Sequence, residues 1–119
     1  MSTPEGKVKA KVRDSLKTAQ AWSFAPISMG PLGRHGIPDI IACVPVTVTE
    51  EMVGKTLGVF VAVETKAPGK LKNTTPNQRK ELKQIAEAQG VAVVTDEAQT
   101  VVDAIERLRC GDITYRVPT

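Results

Sequence analysis

Aromatic side chains are scarce in this chain of 119 residues, which has one Trp, one Tyr and two Phe. Its core must therefore be aliphatic, built from Val, Ile, Leu and Ala. Cysteine is also scarce, and Cys43 and Cys110 have neither the number nor the spacing of a zinc site or a disulfide framework. We expect Cys43, which lies in a predicted strand, to be a small buried apolar residue.

Signals for several protein classes are missing. No apolar run is long enough to span a bilayer, and the lysine-rich start lacks the apolar stretch of a secretion signal, so we expect a cytoplasmic protein with no membrane partner. A small-molecule α/β enzyme is disfavoured because the chain has no glycine-rich phosphate loop and no nucleophile elbow. Without a repeat, a low-complexity segment or a linker, the length predicts one domain over residues 1–119.

The formal net charge of +3 is unevenly distributed. Residues 1–83 carry 13 Lys and Arg against 7 Asp and Glu, whereas residues 84–119 carry 3 against 6. Such clustering favours a polyanionic partner, because each neutralised phosphate releases condensed counterions. For the first helix, a merely solvated lysine face is an equal alternative.

Periodicity and turn signals predict an α/β chain in the order αβββαβα, with a possible final edge strand. Val8, Val12 and Leu16 recur at helical spacing, so one face of the first helix is expected to enter the core. The third strand is apolar enough to be covered on both faces. The predicted elements are a helix opened by Thr3 and Pro4, strands over 22–27, 40–48 and 57–66, a helix from Thr75 to a glycine stop at Gly90, a buried parallel strand over 91–95, a helix over 96–109 with Val101, Val102, Ile105 and Leu108 inward, and the edge strand over 113–117.

Charged residues end the third predicted strand. Successive strand side chains point to opposite faces, so Glu64 and Lys66 share one face and Thr65 points to the other. If residues 38–42 open an antiparallel neighbour, Asp39 comes near Glu64 and two carboxylates can share a divalent cation. A structural ion pair is the alternative, although charges are seldom buried without partners or metal.

Three motifs, Gly36-Ile37-Pro38-Asp39, Glu64-Thr65-Lys66 and Thr75-Pro76-Asn77-Gln78, follow one another in the chain. Together they resemble the VRR-NUC domains of the PD-(D/E)XK nuclease superfamily, over nearly the whole chain. The resemblance implies a restriction-endonuclease-like core, a mixed β-sheet flanked by helices, that hydrolyses DNA phosphodiesters with Mg²⁺ or Mn²⁺. Small stand-alone proteins of this kind, in phages and bacteria, look like structure-specific endonucleases, including resolvases of Holliday junctions in DNA repair and recombination.

Two other functions stay open. A nicking or flap-type nuclease of a replication complex is one, and a catalytically inactive nucleic-acid-binding domain is the other. The intact set of Asp39, Glu64 and Lys66 argues against the inactive domain.

The resemblance assigns roles to individual residues. Asp39, Glu64 and the backbone carbonyl of Thr65 would hold the metal. Lys66 would orient or activate the attacking water, or stabilise the phosphorane. Gln78 corresponds to the motif glutamine among the catalytic residues. It is also placed to complete a capping box with Thr75, a role that does not exclude a contact with the site, since the helix start would lie beside Lys66. Glu5 matches a first-helix glutamate that positions metal-bound water, and a favourable charge at a helix start is an equal explanation.

Substrate binding is assigned to cations around the motifs. A lone histidine in a glycine-rich loop is more often a surface or phosphate-contacting residue than a general base. Because resolution of a junction needs paired cuts, we expect a homodimer, paired across the axis by residues 28–36 or 22–27. The expected DNA contacts are Lys70, Lys72, Arg79, Lys80, Arg34 and His35.

Overall fold

The structure is a computed structural model that describes residues 3–27, 36 and 38–112. Its elements confirm an α/β chain in the predicted order, and the possible final edge strand lies outside the described residues. The chain divides into two compact units, here called the N-terminal unit, Met1–Thr47, and the C-terminal unit, Val48–Thr119. The elements are α1 (Pro4–Thr18), β1 (Trp22–Phe24), β2 (Ile41–Cys43), β3 (Val61–Thr65), α2 (Pro76–Glu87), β4 (Val91–Thr95) and α3 (Ala98–Arg109), with 3₁₀ turns at Glu50–Met52 and Leu71–Asn73.

The N-terminal unit combines α1 with an antiparallel pair of strands. Thr3 caps α1, and its hydroxyl accepts a hydrogen bond from the Gly6 amide at 2.9 Å. β1 pairs with β2, with Trp22 opposite Cys43. The rings of Trp22 and Phe24 lie 5.3 Å apart, because residues two apart share a strand face. Cys43 is buried, as predicted.

The apolar side of α1 is not in a core, contrary to the prediction. No residue of α1 is buried, and Val8 and Val12 are exposed. Only Leu16 and Gly6 are partly shielded. Helical spacing of apolar residues predicted the helix correctly, but it could not show whether a partner surface covers them.

The core of the C-terminal unit is centred on β4. β3 and β4 are parallel from the pair Val61 and Val91 to the pair Thr65 and Thr95, with α2 as the connection between them. Both α2 and α3 contact β4, which is why this short strand is buried along most of its length. The buried apolar residues here are Leu82, Ile85 and Ala88 of the α2 region, Val91, Ala92 and Val93 of β4, and Ala104 of α3.

Several predicted elements are shorter or more exposed than expected. β1 and β2 occupy only part of residues 22–27 and 40–48. The predicted strand over 57–66 narrows to Val61–Thr65, and Val63 in its middle is exposed, so β3 is not covered on both faces. The strands form two separate two-stranded sheets within the described residues, rather than one mixed sheet.

The last helix is also placed differently from the prediction. It begins at Ala98 rather than at residue 96. Val102 and Ile105 are exposed, whereas Ala104 is the buried residue of α3. α3 contacts β4 and buries Ala104, whereas Val102 and Ile105 lie on a part of the helix surface that nothing described covers.

The structure also bears on cysteine pairing and membrane crossing. Neither Cys43 nor Cys110 is in a disulfide, and Cys110 is exposed after the end of α3. Within the described ranges, no helix combines the length and the apolar character that crossing a membrane requires.

The end of α2 depends on Gln89 rather than on the predicted Gly90. Gln89 has a φ of 74°, in the left-handed region that favours glycine. The Gly90 amide then donates to the Ile85 carbonyl at 2.9 Å, which closes the last turn. A residue with a Cβ therefore occupies the strained position.

We expect Gln89→Gly to stabilise the protein by about 0.5–1 kcal/mol, because glycine adopts the left-handed backbone without the Cβ penalty. Thermal and urea unfolding would measure the gain. The matched control is Gln84→Gly, inside α2, where glycine should cost about 1 kcal/mol. A loss of stability in Gln89→Gly would contradict this account of the helix end.

Candidate active site

The carboxyl end of β3 brings Glu64 and Lys66 together. The Lys66 ammonium nitrogen lies 3.9 Å from a Glu64 carboxylate oxygen, so the two side chains meet on one face, as strand alternation predicts. Their side chains are 14% exposed for Lys66 and 31% for Glu64. Thr65 and Lys66 both line an open cavity of about 560 Å³, together with Val63 and residues from the end of β4 to the first turns of α3. A half-buried charged pair thus ends an otherwise apolar strand.

Gln78 joins Lys66 to the start of α2. Its side-chain oxygen accepts a hydrogen bond from the Lys66 ammonium at 2.9 Å and another from the Thr75 amide at 2.9 Å. The Thr75 hydroxyl accepts from the Gln78 amide at 3.1 Å, which completes the predicted capping box. One oxygen atom of Gln78 therefore caps the helix and holds the lysine.

Four of the cations assigned to DNA binding lie between the end of β3 and the second turn of α2. Lys70, Lys72, Arg79 and Lys80 are all exposed. Within the described part of the chain none of the four forms an ion pair. Since a crossover helix starts at the edge where its preceding strand ends, these cations lie at the same edge as Lys66.

Asp96 was not predicted as a site residue, although it lies at this same edge. Its carboxylate accepts a hydrogen bond from the Gly69 amide at 2.8 Å, where Gly69 has a φ of 78°. The β3 and β4 pairing continues past the strands, because the Lys66 amide donates to the Thr95 carbonyl at 2.9 Å. This hydrogen bond from Gly69 to Asp96 therefore anchors the segment between β3 and α2, which contains Lys70. Its position directly after a parallel strand was the available signal.

Asp39 belongs to the N-terminal unit and precedes β2. Its carboxylate is 3.8 Å from the Lys9 ammonium of α1, and the Asp39 side chain is 63% exposed. β2 pairs with β1 and β3 pairs with β4, so the predicted ladder between β2 and β3 is not among the pairings of the described strands. The proximity of Asp39 to Glu64 stays a prediction.

The remaining predicted site residues are on α1 or in the glycine-rich loop. Glu5 lies in the first turn of α1 and is exposed, so a favourable interaction with the helix dipole is available to it. Gly36 has a φ of 78°, which favours glycine at this position of the motif. Arg34 and His35 lie outside the described residues.

The donors assigned to a metal are of the type that magnesium and manganese prefer. Asp39 and Glu64 supply carboxylates that are partly accessible, and Thr65 supplies a backbone carbonyl. The described residues contain no group of three or more His, Cys, Asp or Glu side chains that could hold a metal ion. Carboxylate and carbonyl oxygens of this kind suit a hard cation whose remaining ligands come from water or from phosphate oxygens.

Comparison with protein-family models, with curated proteins and with solved structures found no match.

Proposed function

We propose that this protein is a metal-dependent endonuclease that hydrolyses DNA phosphodiester bonds, with a preference for branched DNA such as a Holliday junction. The observation that carries the proposal is the half-buried Lys66 ammonium, held 2.9 Å from Gln78 and 3.9 Å from Glu64. The hydrogen bond to Gln78 fixes the position of the Lys66 ammonium, and a catalytic group depends on being held in position.

The proposed reaction adds water to phosphorus and breaks one phosphorus–oxygen bond. The water loses a proton, negative charge builds on the phosphoryl oxygens, and the leaving alkoxide is protonated. Magnesium or manganese, when held by Asp39, Glu64 and the Thr65 carbonyl, supplies positive charge and lowers the pKa of bound water. Two carboxylates concentrate negative charge, which suits a divalent cation.

Lys66 contributes hydrogen-bond donors and a fixed positive charge. An ammonium group has three N–H donors, and the Gln78 oxygen accepts one of them. The others remain for the attacking water, for a phosphoryl oxygen, or for Glu64. Because the Lys66 side chain is only 14% exposed, its charge is screened less than a surface charge. Lys66 can thus orient the water or stabilise the pentavalent phosphorus.

DNA binding is assigned to the exposed cations next to this site, Lys70, Lys72, Arg79 and Lys80. Contacts of this type grip phosphates and give little base readout, so DNA shape would decide the preference. We further propose a cytoplasmic homodimer, because two identical sites related by a two-fold axis make paired cuts in a four-way junction.

The purified protein is expected to cut a four-way junction faster than linear duplex, in Mg²⁺ or Mn²⁺ but not in chelator. Calcium should support binding with little cutting, and affinity should fall steeply with salt. Gel assays on junction, flap, nicked, linear and single-stranded DNA would measure the preference. Sedimentation at micromolar concentration would measure the assembly.

Each alternative gives a different result in this assay. Binding to DNA without cutting in any metal would support the inactive nucleic-acid-binding domain, and a preference for flaps or nicks would support the replication nuclease. Full cleavage activity in chelator would show that the reaction does not require a metal ion. Equal cleavage of linear duplex and junction by a monomer would reject the branched substrate while leaving the nuclease standing.

A further inference from the structure

The N-terminal unit contains an open cavity of about 480 Å³ between α1 and the region around β1 and β2. Two cations of α1, Lys9 and Arg13, line it, as do Asp14 and Asp39. Lys9 and Arg13 are four residues apart on a helix, so their side chains lie on the same face. This cavity, here called the α1 groove, contains the predicted metal ligand Asp39 but was not part of the sequence-based site.

Neither Lys9 nor Arg13 forms a short ion pair with a carboxylate among the described residues. The ion pair of Lys9 and Asp39 has a separation of 3.8 Å, and the side chains are 46% and 63% exposed. Exposed pairs of this kind contribute little to stability. Arg13 forms no ion pair with any residue that the structure describes. An arginine fork beside a lysine matches the oxygens of a phosphate.

We propose that the α1 groove binds one phosphate of the DNA backbone through Lys9 and Arg13, and that Asp39 controls this subsite. The inference rests on the proposed function, because Asp39 is assigned to the metal there. Lys9 and the divalent cation would compete for the Asp39 carboxylate. When its carboxylate binds the divalent cation, the Lys9 ammonium is released to the phosphate.

The charges of the α1 groove support this coupling. Lys9, Arg13, Asp14 and Asp39 sum to zero at neutral pH, so the metal-free groove has little net attraction for an anion. A divalent cation on Asp39 makes the groove positive. Metal and DNA phosphate should therefore strengthen each other's binding, as linked ligands must.

Fluorescence anisotropy with a labelled four-way junction in Ca²⁺ tests the subsite. Lys9→Gln and Arg13→Gln are each expected to weaken binding about tenfold and to lower the salt slope by about one. The control is Lys11→Gln, which makes the same charge change on the same helix at an exposed position outside the α1 groove. Equal effects of Lys9→Gln, Arg13→Gln and Lys11→Gln would overturn the proposal.

The role of Asp39 is tested in chelator, where no metal competes for it. Asp39→Asn is expected to tighten DNA binding, since Lys9 is then released. That gain should keep its full size in combination with Lys11→Gln and be clearly smaller in combination with Lys9→Gln, where only the loss of the Asp39 charge beside Arg13 remains. A gain of the same size in the Lys9→Gln and Lys11→Gln backgrounds would overturn the coupling. If the wild type cuts junctions but Lys9→Gln and Arg13→Gln bind DNA as well as Lys11→Gln does, this inference alone is wrong. If the wild type does not bind DNA, the proposed function is wrong as well.

Discussion

Glu64→Gln, Lys66→Ala and Asp39→Asn are each expected to lower the single-turnover cleavage rate by at least about a hundredfold. Glu64→Gln and Asp39→Asn keep side-chain size but remove the negative charge that a divalent cation requires. Lys66→Ala removes the ammonium that Gln78 holds. Junction affinity in Ca²⁺ should change far less than the rate for Lys66→Ala, because the exposed cations still bind phosphates.

Matched controls separate these effects from a general change of charge. Glu87→Gln and Lys83→Ala make the same chemical changes at exposed positions of α2. Both should cut at the wild-type rate. Circular dichroism of every variant would check that the fold is intact. Cleavage near the wild-type rate in any two of the three site variants would remove the assigned site.

Gln78→Ala is expected to slow cleavage by up to about a hundredfold, as a misplaced catalytic group does. It removes the acceptor of both Lys66 and the Thr75 amide. Thr75→Ala removes the other half of the capping box, the hydroxyl that accepts from the Gln78 amide, and leaves Lys66 its partner. Both changes should cost about 1 kcal/mol of stability, so their difference in rate isolates the contact with Lys66.

Rates should be compared well below the unfolding temperatures of both variants, with junction affinity measured alongside. If Gln78 positions Lys66, Gln78→Ala lowers the rate at saturating DNA and leaves affinity nearly unchanged. A Thr75→Ala protein as slow as Gln78→Ala would mean that the helix start, and not the contact with Lys66, limits the reaction.

Local signals predicted the parts of this site that depend on neighbouring residues. The capping box of Thr75 and Gln78 needs only their spacing, and the shared face of Glu64 and Lys66 needs only strand alternation. The bounds of β4 also followed directly, because Val91–Thr95 is a short apolar run between a helix and a turn. Each of these features is determined within one element or one turn.

Several features that depend on distant residues were missed. The ion pair of Lys9 with Asp39 and the hydrogen bond from Gly69 to Asp96 join segments that are far apart in sequence. Burial failed for the same reason, since the apolar pattern around Val8 or Val63 does not say whether another surface covers it. One local feature was also missed. The left-handed conformation of Gln89 was not predicted, because the neighbouring Gly90 can adopt that conformation without a Cβ penalty.

Because the Gln78 oxygen accepts hydrogen bonds from both Thr75 and Lys66, a substitution at position 78 that preserves stability can still impair the site. A rule based on helix capping treats Gln and Glu as equivalent at this position, since either satisfies the Thr75 amide. Glu would also place a second anion next to Lys66, in addition to Glu64. Gln78→Glu would therefore keep the helix start stable while two carboxylates compensate the charge of Lys66. A screen for thermostability alone would accept this variant even though it weakens the proposed catalytic group.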